Sequence, residues 1–159
     1  MTTVRFIADG MLGKLATWLR ILGCDVEYLG DLPDDEIAER ALRTGRVILT
    51  RDTLLVRRRK VRDNHFFVTG DGWRDQLRQV VGAFGIDPGA RLFTRCVRCN
   101  EPLEPVDKPL VAGRVPPYVY ETQEIFSACP SCRRLYWPAT HRERMERQLR
   151  EIFKERGRS

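Results

Sequence analysis

The chain has 159 residues, enough for one ordinary domain or a small domain with an appendage. It is 42% hydrophobic and 31% charged with a net charge of +6, which excludes a disordered polyelectrolyte. No apolar run approaches the ~18–20 residues of a membrane span. The N-terminal sequence meets Asp9 before a secretory apolar region forms, so the expectation is a cytoplasmic protein with no membrane partner.

In chain order, Val4–Ala8 reads as a buried strand. Leu12, Leu15, Leu19 and Leu22 then mark one face of a helix that Gly23 ends. Val26–Leu29 is a second short strand, and Asp34–Thr44 a helix with Pro33 at its start and Gly45 at its stop. Val47–Thr50 and His65–Thr69 are two more strands, followed by a helix from Trp73 to Phe84 that Gly85 ends. Alternation of this kind predicts a parallel sheet flanked by helices. Beyond the turn-rich stretch at 86–91 the character changes. Seven of the nine prolines lie after residue 90, Tyr118–Glu121 and Leu135–Trp137 read as short antiparallel strands, and a helix begins at Thr140. Met145, Leu149, Ile152 and Phe153 give that helix an apolar stripe in need of a partner. The expected domains are therefore 1–90 and 91–159, and they divide the charge unevenly, at +1 and +5.

Aspartates fall at strand ends. Asp9, Asp52 and Asp71 each follow a predicted parallel strand, where ligands of open α/β sheets bind, and Asp34 and Asp35 start a helix on that same edge. Crowded carboxylates repel one another and call for a cation, and hard oxygen donors suit Mg²⁺ or Mn²⁺. Helix capping is the competing reading of each Asp taken singly. The spacing CxxC-x29-CxxC, with Cys96, Cys99, Cys129 and Cys132, predicts a closed four-thiolate structural zinc site and leaves Cys24 as a buried free thiol. A nucleic acid substrate fits the basic half, and across both halves Lys14, Arg20, Arg51, Arg57, Arg58, Arg133 and Arg134 are candidate contacts to it. Ion pairing on solvated faces and offset of the zinc–thiolate charge are the alternatives for the arginines.

The block from Phe6 to Gly23, FIADGMLGKLATWLRILG, closely resembles the opening signature of the Mut-seven C-terminal ribonuclease family. The Leu49–Asp52 element, the two CxxC pairs and the run Tyr136, Trp137, Thr140, His141 are similar to that family as well. Thr17 stands where the family usually carries a basic residue, and Cys24 where an aromatic is more usual. The resemblance implies an α/β, PIN-like nuclease domain followed by a four-cysteine zinc ribbon and a C-terminal helix. It also implies a metal-dependent ribonuclease centred on Asp9, the pair Asp34 and Asp35, and Asp52; Asp71 joins the catalytic set on the strand-end argument alone. A non-catalytic RNA-binding or ribosome-associated module keeps the same fold and is the alternative. A phosphohydrolase is a further alternative, which Met11 disfavours because such enzymes want a second Asp there.

Overall fold

The structure is a computed structural model that describes residues 3–138 and 140–154; the side chains of Thr140 and His141 lie outside the described ones. The chain forms two compact units, Met1–Asn100 and Glu101–Ser159.

In the first unit, β1 (Phe6–Ala8), β2 (Val26–Glu27), β3 (Val47–Thr50) and β4 (His65–Phe67) form a fully parallel sheet in the order β2-β1-β3-β4. The registers Phe6↔Val26, Ile7↔Ile48 and Leu49↔Phe66 alternate apolar side chains between the two faces. Ile7 and Ile48 face helix α2 (Asp34–Thr44), where Ile37, Ala38, Ala41, Leu55 and Val61 complete one core. On the other face Phe84 of helix α4 (Trp73–Phe84) meets Phe6 at 5.1 Å and Phe66 at 5.5 Å between ring centroids. Helix α1 (Gly13–Ile21) packs against α4. Right-handed crossovers in opposite directions require this split, because the chain leaves β1 through α1 on one face and returns through α2 on the other.

A short helix α3 (Thr53–Val56) follows β3; at four residues it is too brief to leave a periodic signal in the sequence. Glycine stops act as expected: Gly45 and Gly85 cap α2 and α4 in the left-handed conformation, at φ 67° and 63°.

In the second unit, β5 (Glu104–Val106), β6 (Phe126–Ala128) and β7 (Leu135–Tyr136) pair antiparallel in the order β5-β6-β7. The expected strand at Tyr118–Glu121 is instead the helix α5 (Pro117–Thr122). Pro117 stands at its first position, where the ring presets a helical φ and the missing N–H costs nothing. That geometry overrides the β preference of Tyr118, Val119 and Tyr120. Val119 joins Val111, Val115 and Phe126 in a small core edged by Trp137. Helix α6 (Thr140–Lys154) follows, with Leu149 and Ile152 buried.

Candidate active site and metal centre

The strand order turns around between β1 and β3: the chain goes from β1 to β2 on one side and returns to β3 on the other. Such a reversal opens a crevice at the carboxyl ends of those two strands. Asp9 follows β1 and Asp52 follows β3, and a buried hydroxyl links them. Thr50 Oγ1 donates to Asp9 Oδ2 at 2.8 Å and accepts the Asp52 amide at 2.9 Å. The Asp9 amide in turn donates to the Leu49 carbonyl at 2.9 Å. Asp52 caps α3, with Oδ1 accepting from the amides of Leu54 at 2.8 Å and Leu55 at 3.3 Å. One oxygen of each carboxylate is thereby fixed. Asp9 Oδ1 and Asp52 Oδ2 have no hydrogen-bond donor among the described residues. Capping accounts for Asp52 alone: Asp9 makes no side-chain cap, and α2 and α4 have Pro33 and Gly72 at their caps.

Two glycines bring the third carboxylate to this edge. A Cβ on Gly10 would stand 2.7 Å from Asp31 Oδ1, and one on Gly13 would stand 2.9 Å from the Tyr28 hydroxyl. That hydroxyl donates to the Gly10 carbonyl at 2.8 Å, so the loop after β2 closes on the turn after β1. The chain then enters α2 at Asp34. Burial pushes the Asp34 carboxyl up; the negative charge of Asp52 adds to this, Arg58 opposes it, and Asp9 and Asp35 add the rest. Asp34 thus lies within the field of Asp52 and Asp9, while Asp35 points to solvent at 79% exposure in an ion pair with Arg58.

Asp71 is placed differently from the other aspartates. It is 93% exposed and accepts from Arg51 Nη2 at 2.7 Å. Its loop is pinned by α4, because Gln79 exchanges two hydrogen bonds with the backbone of Thr69 and Gln76 donates to the Gly70 carbonyl. Among the described residues, Asp9, Asp34, Asp52 and Asp71 supply no three carboxylates within 4.8 Å of one another.

Of the expected RNA contacts, Lys14, Arg57, Arg58, Arg133 and Arg134 are exposed, and Arg51 is part-buried with its charge on Asp71. Arg20 is a correction. Only 8% exposed, it donates through Nε to the Val26 carbonyl at 2.9 Å and through Nη1 to the Val97 carbonyl at 2.8 Å, so its guanidinium is committed inside the protein. Burial lowers its pKa while Cys96 and Cys99 pull it back up. Thr50, which joins the Asp9 carboxylate to the Asp52 backbone, is a residue that sequence reasoning does not single out, although its place two residues before Asp52 is a usable sign.

The four expected cysteines come together: the Sγ atoms of Cys96, Cys99, Cys129 and Cys132 all lie within 4.8 Å of one another. Both pairs are built alike. Cys99 N points at Cys96 Sγ and Cys132 N at Cys129 Sγ, each at 3.4 Å. The next residues, Asn100 at φ 66° and Arg133 at φ 63°, turn left-handed and donate back to the first cysteine's carbonyl at 2.8 Å. Four soft sulfur donors at this spacing fit a tetrahedral zinc ion. Cys24 stays outside the group, and burial pushes its thiol up to about 11.

No curated protein matches the chain. A family model does, that of the Mut7-C RNAse domain, over residues 4–149. With nearly the whole sequence covered, from the β1 turn that carries Asp9 through both cysteine pairs, the chain belongs to the Mut7-C RNAse domain family.

Proposed function

We propose that this protein is a metal-dependent ribonuclease that hydrolyses RNA phosphodiester bonds at the crevice between β1 and β3. The observation that carries this reading is the Thr50 hydroxyl that joins the Asp9 carboxylate to the Asp52 backbone at a strand-end reversal, with the Asp34 carboxyl pushed up by burial and by the charges of Asp52 and Asp9. Three carboxylates with oxygens left over and one nearby arginine lack positive charge, and their donor chemistry fits Mg²⁺ or Mn²⁺. Their open spacing suits an ion that keeps several of its own waters.

Asp9, Asp34 and Asp52 would hold the ion, with Asp34 rather than Asp35 as the third ligand. Once bound, a divalent ion supplies Lewis acidity to the scissile phosphate and to the attacking water. Thr50 fixes the Asp9 carboxylate and the Asp52 backbone, and the Leu54 and Leu55 amides fix the Asp52 carboxylate, so their reorganisation is done before substrate arrives. Asp71 and Asp35, expected from sequence among the catalytic residues, serve instead as partners that hold Arg51 and Arg58 at the mouth of the crevice. An incoming phosphate competes for those arginines, and exposed Arg57, Arg59, Lys60 and Arg62, which have no ion-pair partner among the described residues, add to the attraction. Lys14, Arg133 and Arg134 complete the RNA contacts. Structural zinc on the four cysteines and a reducing, cytoplasmic setting go together, because the thiols are needed as ligands.

A cleavage assay on mixed cellular RNA with Mg²⁺ or Mn²⁺ tests the reading. Asp9→Asn and Asp52→Asn should each lower the rate by at least about 100-fold while circular dichroism reports an unchanged fold. Wild-type protein that binds RNA in a salt-sensitive way but cuts it with neither metal would instead be the binding module.

A further inference from the structure

A second cationic site stands on the same edge of the sheet, built on an aromatic ring. Trp73 opens α4 just past the Asp71 loop, and Trp18 of α1 stacks flat beneath it, with ring centroids 4.4 Å apart and planes 11° from parallel. Trp18 is buried and fixes the position of Trp73. Two cations gather on that ring: Arg74 with its guanidinium carbon 4.5 Å from the centroid, and Lys14 with Nζ at 5.6 Å. Lys14 comes from α1, one helical turn before Trp18, and Arg74 from α4, so neither helix alone makes the arrangement.

What distinguishes these two cations is that they share one ring, and neither is paired with a carboxylate among the described residues. Arg51 and Arg58 are paired with Asp71 and Asp35, and the neighbouring Asp75 is shared by Arg78 and Gln79. Lys14 and Arg74 are both exposed and have no ion-pair partner among the described residues. Like charges drawn onto one ring repel each other, and an anion between them relieves that repulsion. The first turn of α4 points to the same place, since Gly72 at its cap has no side chain to satisfy the free N–H groups there.

We propose that Lys14, Trp73 and Arg74 form a phosphate clamp that holds a backbone phosphate of the RNA to one side of the scissile bond, with Trp73 as the positioning residue. This rests on the RNA-cleaving reading and deepens it. Lys14 belongs to the segment that follows β1 and Trp73 to the one that follows β4, with only β3 between those strands, so clamp and crevice share the carboxyl edge of the sheet. A strand crossing the sheet edge would reach both.

The test is binding of a short, uridine-rich, single-stranded RNA with a 5′-hydroxyl end, followed by fluorescence anisotropy on the zinc-loaded full chain without other divalent ions. The Lys14→Gln/Arg74→Gln double variant should bind at least about fivefold more weakly, with a log–log salt slope smaller by roughly 0.7, as removal of one neutralised phosphate requires. Trp73→Ala should weaken binding and Trp73→Phe should restore it, at unchanged thermal stability of the Phe variant. If wild-type protein binds and the double variant matches it in affinity and slope, the clamp is overturned and the nuclease reading stands. An effect confined to 5′-phosphorylated strands would overturn the backbone assignment. A wild-type protein with no salt-sensitive RNA binding would remove both readings.

Discussion

Thr50 shows how much one small side chain decides. Its hydroxyl is fully buried and has one donor and one acceptor bond, each to a different part of the acidic site. Replacing Thr50 by Val keeps the shape but strips Asp9 Oδ2 of its donor and the Asp52 amide of its acceptor. The expected cost is about 1–3 kcal/mol of stability, measured by chemical denaturation, together with a fall in cleavage rate. Thr50→Ser keeps the hydroxyl and should retain both. An equally slow Ser variant would show that the methyl group rather than the bond matters. Asp25 offers a second residue-scale test. Burial alone would raise its carboxyl above the ordinary 3.8, but hydrogen bonds from Arg46 and Asn100 and the charge of Arg46 and Arg95 outweigh it and lower the value. A carboxyl lowered in the folded state stabilises the fold fully above the unfolded value of 3.8, and that stabilisation is lost as pH falls through the folded value. The stability gap between wild type and Asp25→Asn, about 1–3 kcal/mol at neutral pH, should therefore close under acid, as denaturant midpoints at both pH values would show.

At the scale of elements, the parallel sheet is legible in the sequence because buried strands are short apolar runs and glycine follows the ends of α1, α2 and α4. Asp9 and Asp52 are legible for the same reason, as the first acidic residues beyond such runs. The hairpin region is not. Tyr118, Val119 and Tyr120 favour strands by composition, and only the paired prolines before them point to a helix start. The burial of Arg20 does not show in its helix, since its partners Val97 and Arg98 are 77 and 78 residues away. Nor does the sequence separate Asp34 from Asp35, which differ by one step around the first turn of α2. The loop between β4 and α4 yields a prediction of its own. Because Asp71 is 93% exposed, its bond to Arg51 contributes little to the fold, and Asp71→Asn should change stability by less than about 1 kcal/mol. It should leave metal-dependent cleavage within a few-fold of wild type. A loss as deep as that of Asp9→Asn would make Asp71 a metal ligand after all.

Across the whole molecule, charge and metal chemistry are separated by hardness. Carboxylate oxygens collect at the sheet's carboxyl edge, and thiolates collect in the cysteine group. A zinc ion on the cysteines and the divalent ion proposed for the crevice should accordingly be removable independently. Chelation strong enough to strip zinc, or Cys96→Ser, should lower the melting temperature, and Zn²⁺ should restore the chelated protein where Mg²⁺ does not. Withdrawal of Mg²⁺ should stop cleavage and leave melting almost unchanged.

The outer side of β2 carries one more consequence. Val26 turns its N–H and C=O away from β1, and both are taken by side chains: the amide by Asn100 Oδ1 at 3.0 Å and the carbonyl by Arg20 Nε at 2.9 Å. Asn100 directly follows the first cysteine pair, whose left-handed turn holds it in place. A metal held by that cysteine pair would therefore keep the donor side of this sheet margin from being adhesive. Should Asn100 lose its place with the metal, the Val26 amide becomes an open donor to which strands from neighbouring molecules can add, while Arg20 of α1 still covers the carbonyl. Metal-stripped protein should accordingly fail by self-association, with turbidity that rises with protein concentration, before it fails by unfolding.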